Sequence, residues 1–230
     1  MVKFYEKHEF SFCMILIIFY IVINSICLDN FGQFNYKTAL VNTLFSLLLI
    51  AFMKKLKGLK YYGLTKVKNI KKYLYFIPLI LISSVNLWTG ININNTFYEV
   101  IFFMITMINV GFIEEVIFRG FLFKMMEKDN LKMGIIVSSI TFGIGHIINL
   151  LFGADFVSTL LQVLSAISIG YLFVIIFLKS KSLIPCIITH SLVNALSIFH
   201  SNNIIFYLDS IFLIIVPIIY AIYIDKVVKN

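Results

Sequence analysis

Long apolar segments, separated by short polar segments that carry the lysines, constrain this chain more than any other feature of its sequence. A helix needs about 20 apolar residues to cross the hydrocarbon core of a bilayer. Eight stretches approach or exceed that length: they cover residues 11–28, 38–53, 73–90, 96–126, 132–152, 156–178, 183–199 and 204–224. The sequence therefore predicts an all-α, polytopic membrane protein that forms a single integral membrane domain over residues 1–230.

The composition supports this class and argues against a soluble protein. The chain is 60% hydrophobic and 13% charged, whereas soluble domains are about 45–50% apolar and about 25% charged. A net charge of +8 could suggest nucleic acid, but the lysines lie in short segments between apolar runs, so we predict no nucleic-acid partner. The three cysteines lack the spacing of a metal site and are interpreted as packing residues. They are Cys13, Cys27 and Cys186.

The distribution of the lysines predicts the side of the membrane on which each polar segment lies. Cytoplasmic segments of membrane proteins are enriched in lysine and arginine. If the N-terminus is cytoplasmic and the eight helices alternate in direction, every lysine except Lys37 lies in a cytoplasmic segment. We therefore predict that both termini are cytoplasmic. A cleaved signal peptide over residues 11–28 is disfavoured, because no small-x-small cleavage site follows.

Three ionisable residues lie in the middle of the fourth predicted span, where a membrane helix is normally apolar. They are Glu114, Glu115 and Arg119, the only arginine in the chain. Each such charge costs about 2.5–3.5 kcal/mol on insertion scales, so three of them in one span indicate a functional or structural role. Glu115 and Arg119 are four residues apart and are predicted to form a structural ion pair. Glu114 is rotated by about 100° and is interpreted as the reactive carboxylate. The alternative is a buried cluster that only fixes helix packing.

Two later spans carry further polar side chains. Phe142 and His146 lie in the fifth predicted span, and His190 and Asn194 lie one turn apart in the seventh. At 1.5 Å per residue, the candidate polar groups lie about 14–21 Å from the predicted cytoplasmic ends of their helices. We therefore expect Glu114 and these groups to converge near the midplane or in the cytoplasmic half. A single intramembrane histidine is more often a hydrogen-bonding bridge between helices, so the interpretation depends on the whole set.

A glutamate, two histidines and an asparagine in a cavity of low dielectric constant are the groups that hydrolysis requires. Glu114 can act as a general base towards water. His146 can orient that water or share its proton. His190 and Asn194 can donate hydrogen bonds to a developing oxyanion.

The same residues leave a metal-dependent mechanism open. Glu114, His146 and His190 are residue types that ligate zinc, with water as a fourth ligand. The sequence lacks the H-E-x-x-H pattern of helical zinc proteases, and Asn194 suits an oxyanion donor better than a zinc ligand. We favour a glutamate-dependent mechanism with no certain cofactor, and a divalent metal such as zinc is the alternative.

Three stretches of the chain, in order, resemble the motifs of a known family. Glu114–Arg119 resembles E-E-x-x-x-R, Phe142–His146 resembles F-x-x-x-H, and His190–Asn194 resembles H-x-x-x-N. These are the motifs of the CPBP intramembrane proteases, which include the type 2 CAAX prenyl endopeptidases and the bacteriocin-processing and self-immunity proteins often called Abi. The motif-bearing core covers about residues 97–199.

The resemblance implies an all-helical endopeptidase that hydrolyses a peptide bond within or beside the bilayer. In the family, the first glutamate and the second-motif histidine activate water, and the third-motif histidine and asparagine form the oxyanion site. The matching positions are Glu114 and His146 for water, His190 and Asn194 for the oxyanion, and Glu115, Arg119 and Phe142 in support. Members are often described as metalloproteases, although a metal-free glutamate mechanism has been argued.

The resemblance also implies a class of partner and a location. The substrate would be a membrane-associated or lipidated peptide or protein, such as a prenylated CAAX protein or a bacteriocin or pheromone leader, in a bacterial cell membrane. The alternative function is a non-catalytic immunity or scaffold protein that binds a bacteriocin-related or other membrane partner. A proton-coupled transporter is disfavoured, because the sequence lacks paired half-molecule repeats. The complete set of polar residues favours the protease.

Overall fold

The chain folds into a bundle of helices. The computed structural model describes residues 2–68, 76–88, 90, 91, 93–200 and 205–228, without the side chains of residues 205–207. These residues contain no β-strand, and the predicted all-α class is confirmed. The α-helices are α1 (Val2–Lys7), α2 (Glu9–Phe31), α3 (Tyr36–Lys55), α4 (Ile77–Ser84), α5 (Phe97–Glu115), α6 (Lys124–Met126), α7 (Leu131–Ile144), α8 (Phe156–Ser180), α9 (Ile184–Leu196) and α10 (Ile205–Val227).

Several helices change their winding without a break in the chain. A π-helical segment, Val116–Phe123, joins α5 to α6, so that Phe97–Met126 forms one long helix. A 3₁₀ segment, Gly145–Phe152, extends α7. Shorter 3₁₀ turns follow α4 and α9. Both of the longer irregular segments lie next to predicted site residues.

The lengths of the helices test the predicted number of spans. Six helices in the described part of the chain are long and apolar enough to cross a membrane: Glu9–Phe31, Tyr36–Lys55, Phe97–Met126, Leu131–Phe152, Phe156–Ser180 and Leu208–Val227. The predicted third and seventh spans correspond to two shorter apolar helices, Ile77–Leu87 and Ile184–Phe199. Parts of the third and eighth predicted spans, residues 73–75, 89 and 204, lie outside the described residues. The count of eight and the cytoplasmic location of both termini stay predictions.

Local sequence signals explain where the helices that carry the site begin. The Thr96 hydroxyl accepts a hydrogen bond from the Glu99 backbone N–H, and the Glu99 carboxylate accepts one from the Thr96 N–H, which completes a capping box at the start of α5. Asn130 caps α7 and Asp155 caps α8 through their side-chain oxygens. Pro185 occupies the first turn of α9, where a missing N–H is tolerated.

The bundle has two packed groups of helices that meet at the π segment. Helix α5 packs against α3 and α9, and α4 also packs on α9. Helix α8 packs against α7 and α10. The π segment contacts both α2 and α7, and all eight of its residues are buried. Apolar side chains on the outside of the bundle are exposed, as a lipid-facing surface requires; examples are Leu48, Ile80 and Leu151.

Candidate active site

The two adjacent glutamates lie at the last turn of α5, directly before the π segment. π turns are rare and occur often at functional sites, because the extra residue in the turn redirects the side chains around it. The Ser138 hydroxyl on α7 donates a hydrogen bond of 2.8 Å to the Phe118 carbonyl oxygen within the π segment. The site therefore begins at a local irregularity of the long helix that α7 supports.

Glu115 and Arg119 form the ion pair that their spacing predicts. Glu115 Oε1 lies 3.1 Å from Arg119 Nη1, and both side chains are fully buried. The same Glu115 oxygen lies 2.9 Å from His190 Nδ1, across the contact between α5 and α9. One carboxylate oxygen thus binds both a cation of its own helix and a histidine of another helix. The spacing within the motif predicts only the first of these contacts.

Glu114 approaches the opposite nitrogen of the same histidine. Glu114 Oε2 lies 3.5 Å from His190 Nε2, and Glu114 Oε1 accepts a hydrogen bond of 3.4 Å from the Tyr20 hydroxyl. The imidazole of His190 therefore lies between two carboxylates. If Nδ1 donates its proton to Glu115, Nε2 is available to share a proton with Glu114. The sequence analysis missed Tyr20, and the only signal for it was a hydroxyl-bearing side chain inside the first apolar span.

Phe142 connects the charged group to both histidines. The Arg119 guanidinium carbon lies 4.2 Å from the centroid of the Phe142 ring, which is a cation–π geometry. The ring also meets His146 edge-on at 5.6 Å and His190 edge-on at 5.5 Å between centroids. This contact explains how Arg119 is accommodated, since its Nε and Nη2 atoms have no hydrogen-bond partner among the described residues. Phe142 therefore contacts Arg119 and both histidines, and its supporting role stays a prediction.

His146 lies on the wall of a cavity of about 400 Å³ that also reaches Glu114. The residue is the second of the 3₁₀ segment after α7 and is half-buried. The cavity is lined by Tyr20, Ile21, Asn24, Ser25, Leu28, Asp29, Glu114, Phe118, Phe142, Gly145, His146, Ile148, Asn149 and Phe152. His190 is not part of this wall and lies behind Glu114, with only 7% of its surface exposed. Of the four predicted catalytic residues, Glu114 and His146, which are predicted to activate water, line the cavity, and His190 and Asn194 do not.

Asn194 is the predicted site residue that the structure does not bring into the group. It lies one turn beyond His190 on α9, as the spacing predicts, and is half-buried. Its side chain makes no hydrogen bond to any residue that the structure describes, and it does not line the cavity. Its backbone carbonyl accepts a hydrogen bond from Ser197. The oxyanion role of Asn194 stays a prediction.

Glycines let the helices approach closely enough to assemble the site. A Cβ on Gly111 would lie 2.8 Å from the backbone nitrogen of Ser191, where α5 crosses α9 next to His190. A Cβ on Gly170 would lie 3.0 Å from Arg119 Nη2. Small residues at helix contacts in membranes permit this close backbone approach. The sequence analysis did not single out either glycine, because an isolated glycine in an apolar helix gives no indication of its neighbour.

The three residues that could ligate zinc do not form a ligand set in this arrangement. The described part of the chain contains no group of three or more His, Cys, Asp or Glu side chains placed to hold a metal ion. His190 is already in contact with both glutamates. Glu114, His146 and His190 therefore do not fit a three-residue zinc site as they stand, and we assign no step to a metal. The effect of a chelator on activity tests metal dependence directly.

The segment that carries this geometry matches a known family. Residues 96–196 match the family model of the Rce1-like type II CAAX prenyl endopeptidases. The matched segment begins at the cap of α5, ends with α9 and contains all three motifs. The family whose model matches is the one that the three motifs resemble. No curated protein and no solved structure gives a significant match to the chain.

Proposed function

We propose that this chain, whose residues 96–196 match the model of the Rce1-like type II CAAX prenyl endopeptidase family, is an intramembrane endopeptidase that uses Glu114 to activate water. One observation carries the proposal: His190 lies between Glu114 and Glu115, and Glu114 lines a cavity. A group that only stabilised helix packing would need neither the cavity nor a second carboxylate. The family is a protease family, so the substrate is a peptide or protein.

In the proposed reaction, water binds in the cavity between Glu114 and His146, which both line its wall. Glu114 takes a proton from the water as its oxygen attacks the carbonyl carbon of the substrate. The proton then passes to the amide nitrogen as the C–N bond breaks, which releases an amine and a carboxylic acid. His190 is held by Glu115 and shares the proton with Glu114 during these transfers.

The developing oxyanion needs hydrogen-bond donors. We propose the side-chain amide of Asn194 and the protonated imidazole of His190 for this role, as the third motif implies. Asn194 lies one turn from His190 on the same helix. A rotation of its side chain when substrate binds would bring the amide towards Glu114. The fully buried Glu115–Arg119 pair holds the histidine in place and does not contact the substrate.

The substrate classes follow from the family and from the bilayer. We propose a membrane-associated or lipidated peptide or protein, with a prenylated CAAX peptide and a bacteriocin or pheromone leader as the two candidates to compare, and a bacterial cell membrane as the location. Both are peptides with an apolar anchor, so either would bring the cut bond close to the depth of Glu114.

Cleavage by the purified full-length protein tests the proposal. A panel of prenylated CAAX peptides and leader peptides is incubated with wild type, Glu114→Gln and His146→Ala in detergent, and products are measured by mass spectrometry. Glu99→Gln is the matched control, because glutamine at the same capping-box position keeps the cap of α5. We expect wild type and Glu99→Gln to cleave at similar rates and Glu114→Gln to be inactive.

A chelator arm separates the two mechanisms. Activity that survives a strong chelator supports the glutamate mechanism, whereas loss of activity that added metal restores would replace it with a metal-dependent one. No cleavage of any peptide, together with an unchanged cellular phenotype for Glu114→Gln, would favour a non-catalytic immunity or scaffold protein.

A further inference from the structure

Among the described residues, the wall of the cavity at Glu114 continues towards one end of the bundle. From Glu114 and Tyr20 its wall continues along α2 to Asp29 and along the 3₁₀ segment after α7 to Phe152. At 1.5 Å per residue, the distance along α2 from Tyr20 to Asp29 is about 13 Å. Asp29 and Phe152 are exposed and lie at or near the last residues of their helical segments. The cavity therefore leads from the site to the end of the bundle where α2 ends.

The opposite direction is closed by aromatic side chains. Phe118 lies one turn beyond Glu114 on the long helix and is 4% exposed. Beyond it, five aromatic rings pack between α1, α2, α3, the following loop and the π segment, and the centroids of contacting rings are 4.7–6.3 Å apart. They are Tyr5, Phe12, Phe52, Tyr62 and Phe121. Tyr62 donates a hydrogen bond of 3.4 Å to Tyr5 within this cluster. The described residues thus leave no comparable passage from Glu114 towards the start of α2.

The closed end is the end that carries the lysines. Lys7 lies two residues before the start of α2 at Glu9, and the long motif helix ends with Lys124–Met126. The open end lies near the turn between α2 and α3, where Lys37 is the single lysine. Lysine-rich segments mark the cytoplasmic side. The open end of the cavity therefore faces away from the cytoplasm.

We propose that the active site is reached from the extracytoplasmic side of the membrane, and that the substrates are peptides or membrane proteins that enter the cavity from that side. This inference rests on the proposed function, because it assumes that the cavity receives a substrate. The direction from which the cavity is reached does not depend on catalysis. The depth of Glu114 stays as the sequence predicts it, near the midplane or in the cytoplasmic half, but the cavity opens towards the opposite side. This direction of access favours an exported leader or exported peptide over the C-terminus of a cytoplasmic prenylated protein.

The polar groups of the cavity wall add a preference for charge. Asn24, Ser25 and Asn149 can hydrogen-bond to an extended peptide backbone along the cavity. Asn149 is already oriented by its hydrogen bond of 2.9 Å to Gln162. Among the described residues, the wall contains the carboxyl groups of Asp29 and Glu114 and no lysine or arginine. A neutral or basic peptide segment is therefore accepted more readily than an acidic one.

Cysteine labelling in intact cells tests the direction of access. Ser25→Cys changes one atom in the cavity wall, and Lys60→Cys places a thiol on the exposed lysine-bearing face. Wild type is the background control, because its three cysteines are buried. With a membrane-impermeant maleimide, we expect Ser25→Cys to react in intact cells and Lys60→Cys to react only after permeabilisation.

The outcomes separate this inference from the proposed function. Labelling of Lys60→Cys in intact cells, or failure of Ser25→Cys to label there, would overturn the direction of access whatever the activity. Adding Glu114→Gln to Ser25→Cys should leave labelling unchanged. Outside labelling of a protein that cleaves nothing would contradict the proposed function alone.

A comparison of two aspartate variants tests the preference of the cavity for basic peptides. Asp29→Asn removes the carboxylate at the mouth of the cavity, and Asp129→Asn makes the same change on the lysine-bearing side. We expect Asp29→Asn to lower cleavage of a basic peptide relative to a neutral one by about two- to five-fold, and Asp129→Asn to leave that ratio unchanged. Equal ratios in both variants would contradict a basic preference.

Discussion

The carboxylate of Glu115 lies 2.9 Å from Nδ1 of His190, across the contact between α5 and α9. The two ring nitrogens therefore have different partners: Nδ1 contacts the buried carboxylate of Glu115, and Nε2 lies 3.5 Å from Glu114 Oε2. Hydrogen bonding at one ring nitrogen fixes the tautomer and orientation of a histidine. Glu115 therefore has a second role besides its ion pair with Arg119, since it positions the histidine that serves Glu114.

Glu115→Gln tests this double role. Glutamine keeps the shape of the side chain but removes the charge that compensates Arg119, and both side chains of the pair are 0% exposed. Leaving one partner of a buried ion pair uncompensated typically lowers stability by about 3–5 kcal/mol. We expect a clear fall in the thermal unfolding temperature of the purified protein, and a loss of cleavage in the fraction that stays folded.

The matched control for that variant is Glu127→Gln. Glu127 pairs with Lys124 at the end of the long helix, where both side chains are 22% exposed. Partly exposed pairs contribute about 0–1 kcal/mol, so its unfolding temperature should stay close to that of wild type. Equal shifts in unfolding temperature for the two variants would show that the buried pair stabilises the protein no more than the partly exposed pair.

The contacts that the sequence predicts are those within one helix. The spacing of Glu115 and Arg119 predicts their ion pair, because residues four apart share a helix face. The apolar segments predict the long helices, because the thickness of the bilayer fixes the length of a helix that crosses it. The change to π geometry after Glu115 was not predictable from this spacing, because it depends on neighbours such as Ser138 on α7.

The contacts that the sequence does not predict connect distant parts of the chain. Tyr20 is 94 residues from Glu114, and His190 is 75 residues from Glu115. Depth along each helix can place such residues at one level, but it does not give the rotation of one helix about its axis relative to another. For the same reason, depth alone predicted neither the position of Asn194 outside the group nor the direction of the cavity.

Gly111→Ala tests the close approach of α5 and α9. The added methyl group would lie 2.8 Å from the Ser191 backbone nitrogen, and a backbone cannot move aside as a side chain can. Overpacking of this kind costs about 1–3 kcal/mol, and separating the helices would also move His190 away from Glu114. We expect lower thermal stability together with a larger loss of cleavage rate.

Gly120→Ala is the control on the same long helix. Its added methyl group would meet Tyr62 and Val116 at 3.8 Å, which is ordinary van der Waals contact. Stability and cleavage should both stay near wild type. If Gly120→Ala lost as much activity as Gly111→Ala, any alanine in this helix would be harmful, and the argument from the α5–α9 contact would fail.

Phe142→Leu tests the ring that contacts Arg119 and both histidines. Leucine keeps an apolar side chain but removes the cation–π contact at 4.2 Å, which is worth about 0.5–2 kcal/mol depending on its burial. We expect a modest fall in unfolding temperature and a larger fall in cleavage rate, because both histidines lose the surface that orients them. Phe177→Leu, at a buried ring next to Phe123, should lower stability and leave the rate per folded molecule unchanged.

Tyr20→Phe separates the contribution of the cavity wall from that of the motif residues. The substitution removes only the hydroxyl that donates to Glu114 Oε1 at 3.4 Å and leaves the ring in the wall of the cavity. A hydrogen bond to a charged group is worth about 1.5–3 kcal/mol at most, and this one is long. We therefore expect cleavage to slow by roughly five- to ten-fold, an effect of about 1–1.4 kcal/mol on the barrier.

Tyr36→Phe, on an exposed side chain at the start of α3, controls for loss of a hydroxyl. Single-turnover cleavage by the two variants under the same conditions gives the comparison. A rate for Tyr20→Phe equal to that of Tyr36→Phe would show that Glu114 works without help from α2.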